Sequence, residues 1–211
     1  MRIRIDLKII IFIILFYLTK QLEIYLIIML FAFLHELGHL IIGIILKMKL
    51  EKFEVLPYGF CITFKNEIGN KNKKIEEVNI SELKKVIVAL AGPCVSFIIA
   101  IIYMKIEPYY FNKTDIIYSN ILIGLFNLMP IYPLDGGRII KGILHIKFGD
   151  IKSQLITYKI SYYIMILLTV MASIAVYYYK NIAIFLICII LWIIFLKSAN
   201  IKNYQDVYID K

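Results

Sequence analysis

An unbroken apolar run from Ile24 to Leu46 carries His35-Glu36-Leu37-Gly38-His39 near its middle. The run is long enough for one membrane-crossing helix, which needs about 20 apolar residues. Charged side chains at the centre of such a helix cost roughly 2.5 to 3.5 kcal/mol each on insertion scales, so they mark function by default. In a helix, positions four apart lie on one face about 6 Å apart along the axis, so both imidazoles can reach a single ion. Glu36 is turned about 100° from His35, where it can address a water on that ion without ligating it. His-Glu-x-x-His on a helix is a zinc-hydrolase signature. These residues lead to the expectation of a zinc hydrolase working inside a membrane.

The rest of the chain fits that environment. Of its 211 residues 61% are hydrophobic, against about 45 to 50% in soluble domains. Apolar runs lie at Leu7 to Thr19, Ile24 to Leu46, Val86 to Met104, Ile116 to Leu134, Tyr158 to Tyr179 and Ile182 to Leu196. The pattern predicts an all-α integral membrane protein of about six transmembrane helices. The first run is short and needs Ile3 and Ile5, with tilting, to reach across. It has no processing site of a signal peptide, since Lys20 to Glu23 lead straight into the next run.

The formal charge of +9 is distributed by topology. On the six-span reading, only Lys20, Lys105, Lys113 and Lys180 fall on one side, and the other 20 of the 24 Lys and Arg fall on the opposite one. The positive-inside rule then puts both termini and the two larger loops in the cytoplasm. Such basic residues face anionic lipid, and no nucleic-acid partner is expected. Cys61, Cys94 and Cys188 have no CxxC spacing, which argues against both a disulfide framework and a thiolate metal site.

Between the second and third runs, residues 53 to 64 are interrupted by Pro57 and Gly59 and predict a short β-hairpin turning on Pro57-Tyr58-Gly59. It is expected at the membrane edge, although a cytosolic hairpin has the same composition. Ser81 or Asn79 is expected to cap the third helix. In that helix Gly92, Ser96 and Ala100 recur every four residues, a pattern that lets another helix approach closely. Residues 1–197 are read as one membrane domain and 198–211 as a short polar tail.

Catalytic zinc ordinarily takes three protein ligands and a water, so two histidines need a partner. The strongest candidate is Asp135, in the stretch Asn127 to Arg138 where Pro130 and Pro133 break the fourth helix and Gly136 and Gly137 permit close approach. A turn residue closing a helix is the ordinary alternative for such an aspartate. The second and fourth runs have the same direction in the six-span topology, so equivalent depths can meet. Asp135 lies near the end of its run, which sets the expected site toward the cytoplasmic side.

These motifs resemble the site-2 proteases, the intramembrane zinc metalloproteases of peptidase family M50. His35 to His39 is similar to the family's metal helix, and Asn127 to Gly137 to its second motif ending in Leu-Asp-Gly. Motif order, the Pro-Tyr-Gly loop and Ala91-Gly92-Pro93 look most like the sporulation branch, the stage IV sporulation protein FB group, over the chain up to about residue 197. The resemblance implies one zinc per chain on His35, His39 and Asp135, with Glu36 as general base. It implies that Asn127 and Pro133 position a substrate strand, a role to which Pro57, Tyr58 and Gly59 are natural additions because a substrate helix must unwind to be cut. It further implies a membrane-associated protein substrate, a pro-sigma factor during sporulation, and inhibitory membrane partners. Branch members commonly add a nucleotide-sensing CBS domain after the membrane region; the short tail leads us to expect none here.

Two other classes share parts of this pattern. A catalytically silent membrane scaffold would keep the fold without needing Glu36, and a metal transporter would need polar residues through several spans. His145 is expected to be solvated or interfacial, Asn127 has helix-to-helix hydrogen bonding as its structural alternative, and Arg138 is expected to anchor at the membrane surface.

Overall fold

The computed structural model describes residues 2–56, 59–64, 75–109, 111–179 and 183–198. Pro57, Tyr58 and the tail beyond 198 lie outside them. The chain divides into two compact units, Met1–Leu128 and Met129–Lys211.

The first unit contains strand β1 (Arg2–Ile5), helices α1 (Lys8–Leu18) and α2 (Leu22–Ile45), strands β2 (Leu50–Leu56) and β3 (Gly59–Phe64), and helices α3 (Ile75–Lys105) and α4 (Lys113–Asn127). The expected hairpin is present, with Phe53 opposite Ile62 in the antiparallel β2–β3 pair. The all-α expectation needs correction, because β1 joins as a third strand, parallel to β2, with Ile3 opposite Phe53. Arg2-Ile3-Arg4-Ile5 does alternate with period two, but four residues beside a long apolar run carry too little periodicity to separate from a helix flank. With Ile3 and Ile5 committed to the sheet, neither can lengthen the first helix. The 11 residues of α1 extend only about 17 Å, well short of a bilayer core of about 30 Å.

Helix α2 buries a stripe at four-residue intervals: Ile27, Phe31, His35 and His39. Its upper part forms an apolar core of Ile27, Phe31 and Ile116 of α4, flanked by Leu34, Ile99, Tyr103, Phe111 and Ile123. In lipid this contact is held by close packing rather than by escape from water, and small residues make it close. A Cβ on Gly38 would stand 2.8 Å from Val95 Cγ2 and 3.0 Å from the Ala91 carbonyl oxygen. Asn79 and Ser81 lie inside α3 and cap nothing; the helix starts earlier, through a polar turn that hydropathy alone assigned to the connector. Asn112 caps α4 by accepting from the Thr114 N–H at 3.2 Å.

The second unit contains a loop and helices α5 (Asp135–Phe148), α6 (Asp150–Tyr179) and α7 (Ala183–Ser198). The expected fourth span stops at Asn127, seven residues early, because Pro130 and Pro133 carry no N–H to continue the ladder. Gly149, at φ +78°, turns the chain between α5 and α6, a conformation glycine adopts without steric cost. Helix α6 packs on both α5 and α7. Tyr158 donates to the Ser198 carbonyl at 2.7 Å, and its ring meets Phe195 edge-on.

Among the described residues, three helices are long and apolar enough to cross a membrane: Leu22–Ile45, Glu77–Lys105 and Asp150–Tyr178. Within the described residues α1, α4 and α7 are shorter, at 11, 15 and 16 residues, so six full-length spans are not confirmed.

Candidate metal centre

His35 and His39 are 2% and 4% exposed, so neither imidazole can rely on water for its hydrogen bonds. Helix α3 supplies partners. His39 Nδ1 lies 2.7 Å from the Val88 carbonyl oxygen; a carbonyl only accepts, so Nδ1 carries the proton and the lone pair sits on Nε2. His35 Nδ1 lies 3.0 Å from Ser96 Oγ, itself fully buried. The hydroxyl can accept there, which is compatible with the same tautomer. This is the outer-shell arrangement that orients metal-binding histidines and raises their basicity.

The two Nε2 atoms then converge. A Cβ built on Gly92 would lie 2.5 Å from His35 Nε2 and closer still to His39 Nε2. Glycine therefore keeps any side chain out of the space where the two nitrogens come together. The imidazoles are nearly perpendicular, at 81° with centroids 4.9 Å apart. Val88, Gly92 and Ser96 stand at four-residue intervals on α3 while His35 and His39 stand four apart on α2. The Nδ1 atoms reach outward to anchors eight residues apart, and the Nε2 atoms meet at the glycine midway. The pair fits a divalent ion with imidazole preference. Glu36, one residue past His35, is half-buried on the same helix.

In the second unit Asp135 is the first residue of α5 and 4% exposed. Its carboxylate sits at the helix N-terminus, where the macrodipole favours negative charge. Arg138 Nη1 is 3.8 Å from Asp135 Oδ1, an ion pair beyond hydrogen-bond range. Arg138 therefore faces the aspartate, a role beyond the surface anchor expected of it. Pro133, in a cis peptide with Tyr132, ends the loop just before this turn. Asn127 closes α4, where its amide donates to the Ile123 carbonyl at 2.9 Å, a bond within its own helix rather than to another one. Gly59 is buried at the start of β3 with φ +148°.

His145 is corrected. It is 7% exposed, with Nδ1 3.5 Å from Asp150 Oδ1, because the Gly149 turn folds α6 back against the end of α5. Helix α6 also holds more polar groups than its hydropathy suggested: Ser153, Thr157 and Ser161 are buried. The hydroxyls of Thr157 and Ser161 donate to the carbonyls four residues earlier, and that of Ser153 to the carbonyl three earlier. Each of these hydroxyl protons is thus placed within the helix.

Sequence reasoning missed Val88 and Ser96 as partners of the histidines. The Gly92-Ser96-Ala100 spacing was a signal, but it reads equally as plain helix packing.

The profile of peptidase family M50 matches residues 23–113 and 109–172. A zinc metalloprotease of Methanocaldococcus jannaschii is 35% identical over 134 residues, 60% of this chain and 36% of that protein. Stage IV sporulation protein FB of Bacillus subtilis is 26% identical over 132 residues, 58% of this chain and 41% of that protein. The chain thus matches these curated relatives over well under half of their length. A solved site-2 protease from Methanocaldococcus jannaschii is similar in fold at a TM-score of 0.63 and 25% identity, covering 90% of this chain and 87% of that one.

Proposed function

The chain belongs to peptidase family M50, and on that premise we propose that it is a zinc-dependent intramembrane endopeptidase with His35, His39 and Asp135 as ligands and Glu36 as general base. The observation that carries the reading is the convergence of the two Nε2 atoms beside Gly92, with both Nδ1 atoms anchored on α3. His35, His39 and Asp135 are all buried, and each offers one ligand atom, a two-nitrogen, one-oxygen set of the kind catalytic zinc accepts. The membrane setting is supported by the family and by three helices able to cross a bilayer.

Bound zinc supplies a Lewis acid that brings the pKa of a water to about 7 and polarises the scissile carbonyl. The protein residues do the rest. Glu36 takes the proton of the attacking water and returns it to the leaving nitrogen. Val88 and Ser96 hold the imidazoles so that neither must reorganise during the reaction. Asn127 and Pro133, with Pro57, Tyr58 and Gly59, position an unwound substrate strand. Against a transporter stands α6, whose buried Thr157 and Ser161 hydroxyls give their protons to carbonyls of their own helix.

The substrate in this reading is a membrane-associated protein, a pro-sigma factor during sporulation, cut from the cytoplasmic side with both termini of the enzyme in the cytoplasm. Likeness to the Bacillus subtilis protein supports the sporulation setting. Membrane inhibitors would then control when cutting occurs. Co-expression with membrane-tethered candidate substrates, followed by gel mobility, tests the reading. The wild type yields a shorter product; Glu36→Gln and Asp135→Asn do not, and Glu36→Gln still carries zinc. Wild-type cleavage by Glu36→Gln would remove the general-base assignment.

A further inference from the structure

We infer that Ser161 of α6 is a positioning residue for the Asp135 carboxylate, a role that rests on Asp135 being a zinc ligand. Ser161 is fully buried, and its one hydroxyl proton has a clear destination. Its Oγ donates to the Thr157 carbonyl at 2.8 Å; the Pro130 carbonyl, at 3.5 Å, is too distant to compete. The oxygen lone pairs are then available to the Tyr132 N–H, which donates to Ser161 Oγ at 2.9 Å.

That N–H belongs to the loop that delivers Asp135. Within residues 129–134, Pro130 and Pro133 carry no N–H, while the amides of Ile131 and Leu134 bond to Met129 and Ile131 carbonyls inside the loop. The Tyr132 amide, by contrast, is tied to another element, α6. The first turn of α5 folds directly onto it. A Cβ on Gly137 would lie 2.5 Å from the Ile131 carbonyl carbon and nearer still to the Tyr132 nitrogen. Because Gly137 is only two residues after Asp135, backbone movement at Tyr132 transmits to the carboxylate. The Tyr132 ring adds a second tie to α6, meeting Tyr158 edge-on at 5.6 Å, but only the hydroxyl fixes the backbone.

Thr157 provides a matched control. It is equally buried on α6, and its hydroxyl bonds the Ser153 carbonyl within its own helix. Zinc affinity of the full-length protein in detergent, read by competition with a chromogenic chelator, should fall about tenfold in Ser161→Ala, at the low end of what outer-shell changes produce. Thr157→Val should bind as wild type. Since Ser161 acts through Asp135, Ser161→Ala should have no further effect when added to Asp135→Ala, whereas two independent losses would multiply.

Wild-type affinity in Ser161→Ala, an equal loss in Thr157→Val, or multiplicative losses in the double variant would each overturn the role of Ser161. Unchanged affinity in Asp135→Ala alone would instead overturn the ligand assignment beneath it.

Discussion

Replacing Gly92 by alanine places a methyl group where the two histidine nitrogens converge. Its Cβ would stand 2.5 Å from His35 Nε2 and from His39 Cε1, about 0.9 Å inside the 3.4 Å at which ordinary contact begins. Zinc sites hold their bond lengths to about 0.2 Å, so imidazoles displaced by several tenths of an ångström cannot both ligate one ion, and the methyl itself occupies space beside it. The expected loss in zinc affinity is at least about 100-fold, roughly 2.7 kcal/mol at 1.36 kcal/mol per tenfold change. The fold is a separate matter: alanine favours a helix by about 1 kcal/mol over glycine, against an overpacking cost of about 1 to 3 kcal/mol. Chelator competition and thermal unfolding without metal separate the two effects. Gly124→Ala is the control, because its Cβ would meet Phe97 at 3.0 Å in the same bundle and no histidine. Stoichiometric, wild-type zinc binding by Gly92→Ala would refute the convergence argument.

Three further outcomes follow from the same geometry. Ser96→Ala removes the partner of His35 Nδ1 and should weaken zinc binding about 10- to 100-fold, measured by chelator competition; unchanged affinity would mean that the bond does no orienting. Zinc at 100 times its dissociation constant should stabilise the protein by about 2.7 kcal/mol, which for a chain of this size raises Tm by about 5 to 11 °C, and a Tm insensitive to chelation would count against a preformed site. Metal analysis of the purified protein should give one zinc per chain, and a fractional or higher ratio would contradict a single site.

The metal helix was legible because its signals reinforce one another: ionisable residues in an apolar run, at a spacing that puts both imidazoles on one face. The hairpin was legible from Pro57 and Gly59 breaking an aromatic, β-branched stretch. By contrast, β1 exists through its pairing with residues 50 apart in sequence, which no local pattern reports. The helix lengths were misjudged for a related reason. Hydropathy counts apolar residues through Met129, Ile131 and Leu134, whereas backbone donors decide where α4 ends. His145 looked solvated because its neighbours are basic; its burial comes from the turn at Gly149, a backbone event that composition hides.

The histidines' partners show why a ligand motif is only half of a site. Helix α2 carries both imidazoles, yet α3, which contributes no ligand, fixes their rotation through Val88 and Ser96 and leaves room between them at Gly92. On an ideal helix Val88 and Ser96 are about 12 Å apart and the two histidines about 6 Å. Two rings splayed toward the wider pair must turn their opposite nitrogens inward. Sliding α3 by one residue, about 1.5 Å, would rotate Gly92 away and bring a side chain toward the rings. The close contacts at Gly38 therefore do more than pack helices: by allowing Ala91 and Val95 so near, they set the register on which the metal geometry depends.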